Sequence, residues 1–153
     1  MTKAIRRTVD GEFMEEVERP PLAEQFGLEP HPEGGWYGRT WTSPDTLTVD
    51  GRTRPAATLI LFLLPAGEFS AWHRVSSTEF WIFNALAPVA LQLGGTGDVP
   101  VVASEHQLDQ RMPQLEIPAN TWQRTLPSTA DALVSCMVSP GFDFADFALE
   151  PPA

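Results

Sequence analysis

Residues 57–64 read ATLILFLL, an unbroken apolar run of strand length. The run is too short for a helix of ordinary length and lacks the alternation of a half-wet strand. It suits a strand buried on both faces, so protein must lie on either side of it. The rest of the chain keeps the same grammar. Trp36–Thr42 alternates aromatic with small or polar residues. Short strand candidates follow at 71–75, 79–84, 89–93, 99–103, 114–117, 123–126, 132–138 and 144–149. Turn formers punctuate them at Pro65-Ala-Gly67, Gly94-Gly-Thr-Gly97 and Pro140-Gly141. Many short strands at this spacing predict an all-β sandwich or barrel. One short helix is expected at 20–27, opened by prolines and closed by Gly27. Residues 1–20 are charged and aperiodic, and read as a loose N-terminal arm. Residues 21–150 form a single domain.

Composition narrows the partners. The chain has 153 residues, 42% of them hydrophobic, which suffices for one domain with a real core. Its formal net charge is -10. A nucleic-acid surface needs Lys and Arg against phosphate, and an anionic membrane surface needs the same, so neither partner is expected. No apolar run approaches the roughly 18 residues of a spanning helix. The N-terminus, MTKAIRRTVDGEF, lacks the apolar stretch of a signal peptide. The single Cys136 cannot form an internal disulfide. A cytoplasmic protein with a small-molecule partner is the expectation. Gly94 to Gly97 neither opens a helix nor precedes Lys-Ser/Thr, so it reads as a turn and not a phosphate cradle.

The chemistry concentrates in GEFSAWHRVSSTE, residues 67–79. Strand parity sends His73 and Val75 one way and Trp72 and Arg74 the other. On the next strand Glu79, Trp81 and Phe83 share a face. A hairpin closing at 76–78 turns His73 and Glu79 together toward the interior. An imidazole and a carboxylate inside an apolar barrel perturb each other's protonation, and such a pair can move protons near neutral pH. Trp81 reads as an aromatic pocket wall. Trp72 and Trp122 point the opposite way, toward a second layer or a dimer interface. Cys136, in ALVSCMV, reads as a small core residue. His31 reads as a loop hydrogen-bonding residue and His106 as exposed.

These segments resemble the two motifs of the cupin superfamily. The first motif runs G, five residues, H-x-H, three or four, E, and is matched at Gly67, His73 and Glu79, with Val75 at the second histidine. The second is matched at Pro118, with Asn120 replacing a glycine and Gln123 replacing a histidine. HPEGGW (31–36), WHRV with its following Glu79, PANTWQ (118–123) and PGFDFADF (140–147) are similar to the cupin type-five family of small stand-alone cupins. The resemblance covers about residues 22–149. It implies a double-stranded β-helix, or jelly-roll barrel, with a short N-terminal helix.

The resemblance also implies a site. Metal cupins use three imidazoles and a carboxylate. Here Fe, Mn, Ni or Zn would have only His73, Glu79 and the neutral amide of Gln123, so no metal is favoured. The preferred function is a metal-independent isomerase or epimerase, cyclase or lyase. His73 is its base and Glu79 its orienter or acid. Trp81, Phe83, Gln123 and Glu33 contact substrate, Glu33 because HPEGG belongs to the shared pattern. A non-catalytic ligand-binding cupin is the alternative, and a metal-dependent oxygenase the third reading. Sheet edges and surface aromatics that need cover predict a homodimer.

Overall fold

A computed structural model of the chain describes residues 2–149. In chain order the elements are β1 (Lys3–Arg7), β2 (Phe13–Glu18), α1 (Pro21–Phe26), β3 (Glu29–Pro30), β4 (Trp36–Thr42), β5 (Thr46–Val49) and β6 (Arg52–Pro55). There follow β7 (Thr58–Leu64), β8 (His73–Val75), β9 (Thr78–Leu86), β10 (Val89–Leu93) and β11 (Ser104–Leu108). The chain closes with β12 (Gln114–Ile117), β13 (Gln123–Thr125), β14 (Ala132–Ser139) and β15 (Phe147–Leu149). One sheet has the order β12-β9-β14-β7-β4-β3 and the other β11-β10-β13-β8-β15. Their pairings are antiparallel. The two sheets face each other as a double-stranded β-helix, the expected jelly-roll.

β7 explains why the chain carries ATLILFLL. Phe62 and Leu64 point inward to a core with Trp81, Leu91, Leu108, Ile117 and Val134. Leu63 points outward, where it packs with Ala4, Ala23, Leu28 and Trp36. Both faces are therefore covered, fully at Phe62–Leu64 and in part at Leu59–Leu61, and alternation is lost. β14, with one buried face, alternates strictly: Ala132, Val134, Cys136 and Val138 are buried and their neighbours half-buried. α1 ends as expected at Gly27, which takes the left-handed φ of 67° and donates its N–H back to Ala23 or Glu24. Asn120 adopts φ 63°, so it does hold the positive-φ position that the resemblance assigned to a glycine.

Three expectations are corrected. Residues 1–20 are not a loose arm: β1 and β2 form an antiparallel hairpin over the outer cluster. The alternation of β1 is real, with Ala4 and Arg6 buried, but an arginine at an inward position hides it. The strand placed at 99–103 is a loop in which Val99, Val101 and Val102 are 58%, 70% and 50% exposed. The partner of β10 is instead the polar SEHQL of β11, whose outer face meets water. Residues 144–149 begin with a 3-10 turn (Phe144–Asp146), capped by the Asp143 side chain on the Ala145 N–H, and only then extend as β15. The β5–β6 hairpin carries its own signal, Asp50-Gly51, with φ 51° and 75° at the turn.

Candidate active site

The loop between β3 and β4 enters the barrel because two glycines let it. A Cβ on Gly34 would stand 2.0 Å from the Phe69 carbonyl oxygen, and one on Gly35 2.7 Å from the Phe62 ring. Both have positive φ, 109° and 75°. The loop is tied inward by the Ala71 N–H, which donates to the Glu33 carbonyl at 2.7 Å. It is tied from outside by Arg6, which is 6% exposed and donates to the carbonyls of His31 and Gly35. Glu33 is thereby driven into the barrel, close to β8.

The Glu33 carboxyl is the hub of the site. Its Oε2 accepts from the Ser70 hydroxyl and lies 3.3 Å from His73 Nε2. Its Oε1 lies 3.2 Å from His31 Nδ1, and the Glu33 backbone N–H donates to that same nitrogen at 3.1 Å. His31 is thus the Nε2–H tautomer. His73 Nδ1 lies 2.7 Å from the Ala71 carbonyl and donates to it, which leaves Nε2 as an acceptor facing Glu33. A second carboxyl, Glu79, accepts from Gln123 Nε2 at 2.7 Å, and Gln123 Oε1 accepts from the Trp81 indole at 2.7 Å.

Burial dominates the protonation of these groups. It pushes Glu33 up to about 8, against a smaller opposing effect of the Ser70 hydrogen bond. It pushes Glu79 up to about 7, while attraction to His73 works the other way. His73 is lowered by burial in spite of Glu79 and the Ala71 carbonyl. His31 is lowered well below its usual value by burial, with His73 and Arg6 adding to the effect. Near neutrality the site therefore holds protonated or half-protonated carboxyls beside neutral imidazoles. Cys136 is pushed well up by burial and by Glu79 and Glu33, so it remains a thiol.

A cavity of about 330 Å³ opens onto this cluster. His31, Glu33, His73, Glu79 and Cys136 line its polar side. Tyr37, Ile60, Val75, Val138, Phe142, Phe144 and Phe147 form its apolar wall, with Glu29 and Arg39 also on the lining. The Phe147 ring stacks on His73 at 5.7 Å between centroids.

Of the residues expected from sequence, His73, Glu79 and Glu33 meet on this lining. Trp81, Gln123 and Phe83 do not. Trp81 is 1% exposed, with its ring edge-on to Phe62 in the core, and Gln123 is fully buried behind Glu79. They support the site from the rear and form no wall. Phe83 keeps the inward parity of Glu79 and Trp81, opposite Val134, but it packs against the far end of the core and borders a separate surface depression with Asn84, Leu86 and Arg111. Trp72 and Trp122 do face outward, covered by Arg124 and Arg74, each 4.6 Å from the ring centroid. The contact of His73 is Glu33, not Glu79. His31 was missed as a lining residue, and so was the Phe142–Phe147 segment. The glycine pair after Glu33 was the available signal for the first, and the clustered aromatics for the second.

The cupin metal positions do not fit a metal here. Val75 offers no donor, and both ends of the Gln123 amide are engaged, one of them on Glu79 itself. Among the described residues no group of three or more His, Cys, Asp or Glu side chains is arranged to hold an ion. Nor is any described helix long and apolar enough to cross a membrane.

Comparison with known proteins agrees with the barrel. The family described as Cupin superfamily (DUF985) matches residues 21–150. A hypothetical protein from Leishmania major is 28% identical with a TM-score of 0.76, over 84% of this chain and 85% of that one. A protein from Shewanella oneidensis is 29% identical with a TM-score of 0.72, over 88% of this chain and 85% of its own. An L-ribose isomerase of Acinetobacter sp. DL28, solved with L-ribose, shares the fold at 11% identity and a TM-score of 0.55, over 72% and 60% of the two chains. No protein of curated function matches the chain significantly.

Proposed function

The chain belongs to the cupin superfamily, in its DUF985 family, and on that premise we propose that it is a metal-independent acid–base enzyme of the isomerase, cyclase or lyase kind. The observation that carries this reading is the contact of the Glu33 carboxyl with His73 Nε2 at 3.3 Å inside an apolar cavity. A general acid must hold a proton at working pH and a general base must lack one. Burial puts Glu33 in the first condition and His73 in the second. A substrate carbonyl against Glu33 takes the carboxyl proton, while the adjacent C–H gives its proton to His73 Nε2. The electron pair of that C–H bond becomes the new double bond of an enol. Return of the protons at another carbon isomerises, and expulsion of a leaving group eliminates. Ser70 fixes the carboxyl, and the Ala71 carbonyl fixes the imidazole tautomer. Glu79 is a second proton store, oriented by Gln123.

The test is deuterium exchange. Small cyclic ketones, hydroxyketones and aryl-substituted oxo acids are incubated with the protein in D2O and followed by NMR. Wild type should wash deuterium into the α position of at least one of them. His73→Ala and Glu33→Gln should each slow this by at least ~100-fold, within the usual worth of acid–base groups, while retaining a cooperative melt. The aromatic wall would serve a non-catalytic binding protein equally well. A ligand bound tightly but recovered without exchange, with His73→Ala changing affinity alone, would favour that second reading.

A further inference from the structure

The charges around the cavity do not balance at one point. Glu29 is held by Arg19 through two hydrogen bonds, at 2.9 and 3.2 Å. Glu33 and Glu79 lie in the buried cluster already described. That leaves the guanidinium of Arg39, a solvent-exposed cation at the rim, among the described lining residues. No carboxylate pairs with it among the described residues. Its Nη2 donates to the Phe142 carbonyl at 3.1 Å, which holds the guanidinium at the root of the aromatic segment and leaves other N–H groups free. Parity along β4 puts Arg39 on the same face as Tyr37, and its register partner on β7 is Ile60, also on the lining. Tyr37 and Arg39 both line the cavity on that face. In a chain of net charge -10, an arginine beside a pocket with no acid on it is an opening for an acid from outside.

We infer that the cavity takes a small monocarboxylic acid, its carboxylate paired with Arg39 and its apolar or aromatic body against Phe142, Phe144 and Phe147. This rests on the reading of the same cavity as the reaction site, and adds the substrate class. Arg presents paired N–H donors that match a carboxylate in its plane. A phosphate dianion fits worse, because the single guanidinium of Arg39 balances only one of its two charges.

The probes are benzoate, its neutral relative methyl benzoate, and phenyl phosphate, titrated by calorimetry at fixed ionic strength. Benzoate should bind at least ~10-fold more tightly than either of the others, in line with one charge-assisted pair. Arg39→Gln should abolish that preference and leave methyl benzoate unchanged, and Arg39→Lys should restore part of it. Arg111→Gln, which alters net charge equally at the remote depression, should have no effect. The inference is overturned if benzoate does not bind, if methyl benzoate or phenyl phosphate binds as well, or if Arg39→Gln changes nothing. Glu33→Gln separates the two readings, since it should silence exchange yet keep the benzoate preference. Preference without exchange in wild type would sink the reaction and spare the carboxylate site.

Discussion

Raising the pH from about 6.5 to 8 should destabilise this protein, and Glu33 should be the main reason. Glu33 has a folded value of about 8 and Glu79 of about 7, both above the ordinary value of 4.5. Each keeps a proton in the fold that the unfolded chain has already lost. The stability they contribute is complete below about 4.5 and is lost as the pH rises through the folded values. His31 and His73 run the other way. Their folded values lie below 6.5, so their contribution is present above 6.5 and is lost as the pH falls through those values. Between about 4.5 and 6.5 the two pairs oppose each other. Above 6.5 only the carboxyls remain, and the curve must fall.

Each proton in excess in the fold costs about 1.4 kcal/mol per pH unit. Over pH 6.5–8 Glu33 alone should cost about 2 kcal/mol, and Glu79, which is already half-titrated near 7, under ~1 kcal/mol. For a chain of this size 1 kcal/mol moves Tm by roughly 2–4 °C, so the melting point should drop by about 5–10 °C. Thermal melts at pH 6.5, 7.2 and 8.0 at constant salt measure it. Glu33→Gln carries no titrating proton and should lose most of the slope. A wild-type Tm that is level or rising across this window would refute the reasoning, as would a Glu33→Gln variant with the wild-type slope.

Arg6→Ala should cost about 2 kcal/mol in urea unfolding, because the carbonyls of His31 and Gly35 each lose their charged donor and keep only a backbone N–H within the loop, while Glu68 loses its 3.2 Å partner. The same variant should slow deuterium exchange by releasing the loop that carries Glu33. Gly34→Ala should cost more than ~2 kcal/mol, since backbone strain and a clash at 2.0 Å with the Phe69 carbonyl combine. Gly27→Ala, with the same sign of φ and open space around it, should cost only about 1 kcal/mol. We also propose a homodimer, given the exposed valines at 99, 101 and 102 beside the edge strand β11. Light scattering at micromolar concentration should give twice the 16.9 kDa chain mass, and a monomer mass sinks that proposal.

What the sequence disclosed and what it hid divide along one physical line. Parity is local, so the inward turn of His73 and Glu79 and the outward turn of Trp72 and Trp122 could be read from alternate positions. The two covered faces of β7 showed in its composition. The meeting of Glu33 with Ser70 and His73 is a contact across some forty residues, decided by how the HPEGG loop folds over the sheet. No periodicity encodes that. Trp81 misled because parity reports only which face a side chain takes. Its face is inward as expected, but that end of the interior is filled by Phe62 and Gln123. Phe142–Phe147 misled in the opposite sense: its alternation of aromatics and acids mimics a strand, while Asp143 caps a turn that folds the rings over His73.

Gln123 links the lost metal positions to the protonated carboxyls. It sits opposite His73 in the β8–β13 register, at the position where the cupin pattern has a histidine. An imidazole there could spend a lone pair on an ion. The amide instead spends its N–H on Glu79 and its oxygen on Trp81, and so removes two donors from any ion at once. Val75 removes another. Two carboxyls buried without a cation can be neutral only by keeping their protons, which is the direction burial drives both Glu33 and Glu79. On the proposed acid–base reading, loss of the ligands and retention of the protons are one change seen twice: the barrel exchanges a Lewis acid for Brønsted acids. A bound cation would reverse the direction at both carboxyls and remove the fall in stability above pH 6.5. The slope of that curve therefore bears on the chemistry of the cavity as directly as any activity assay does.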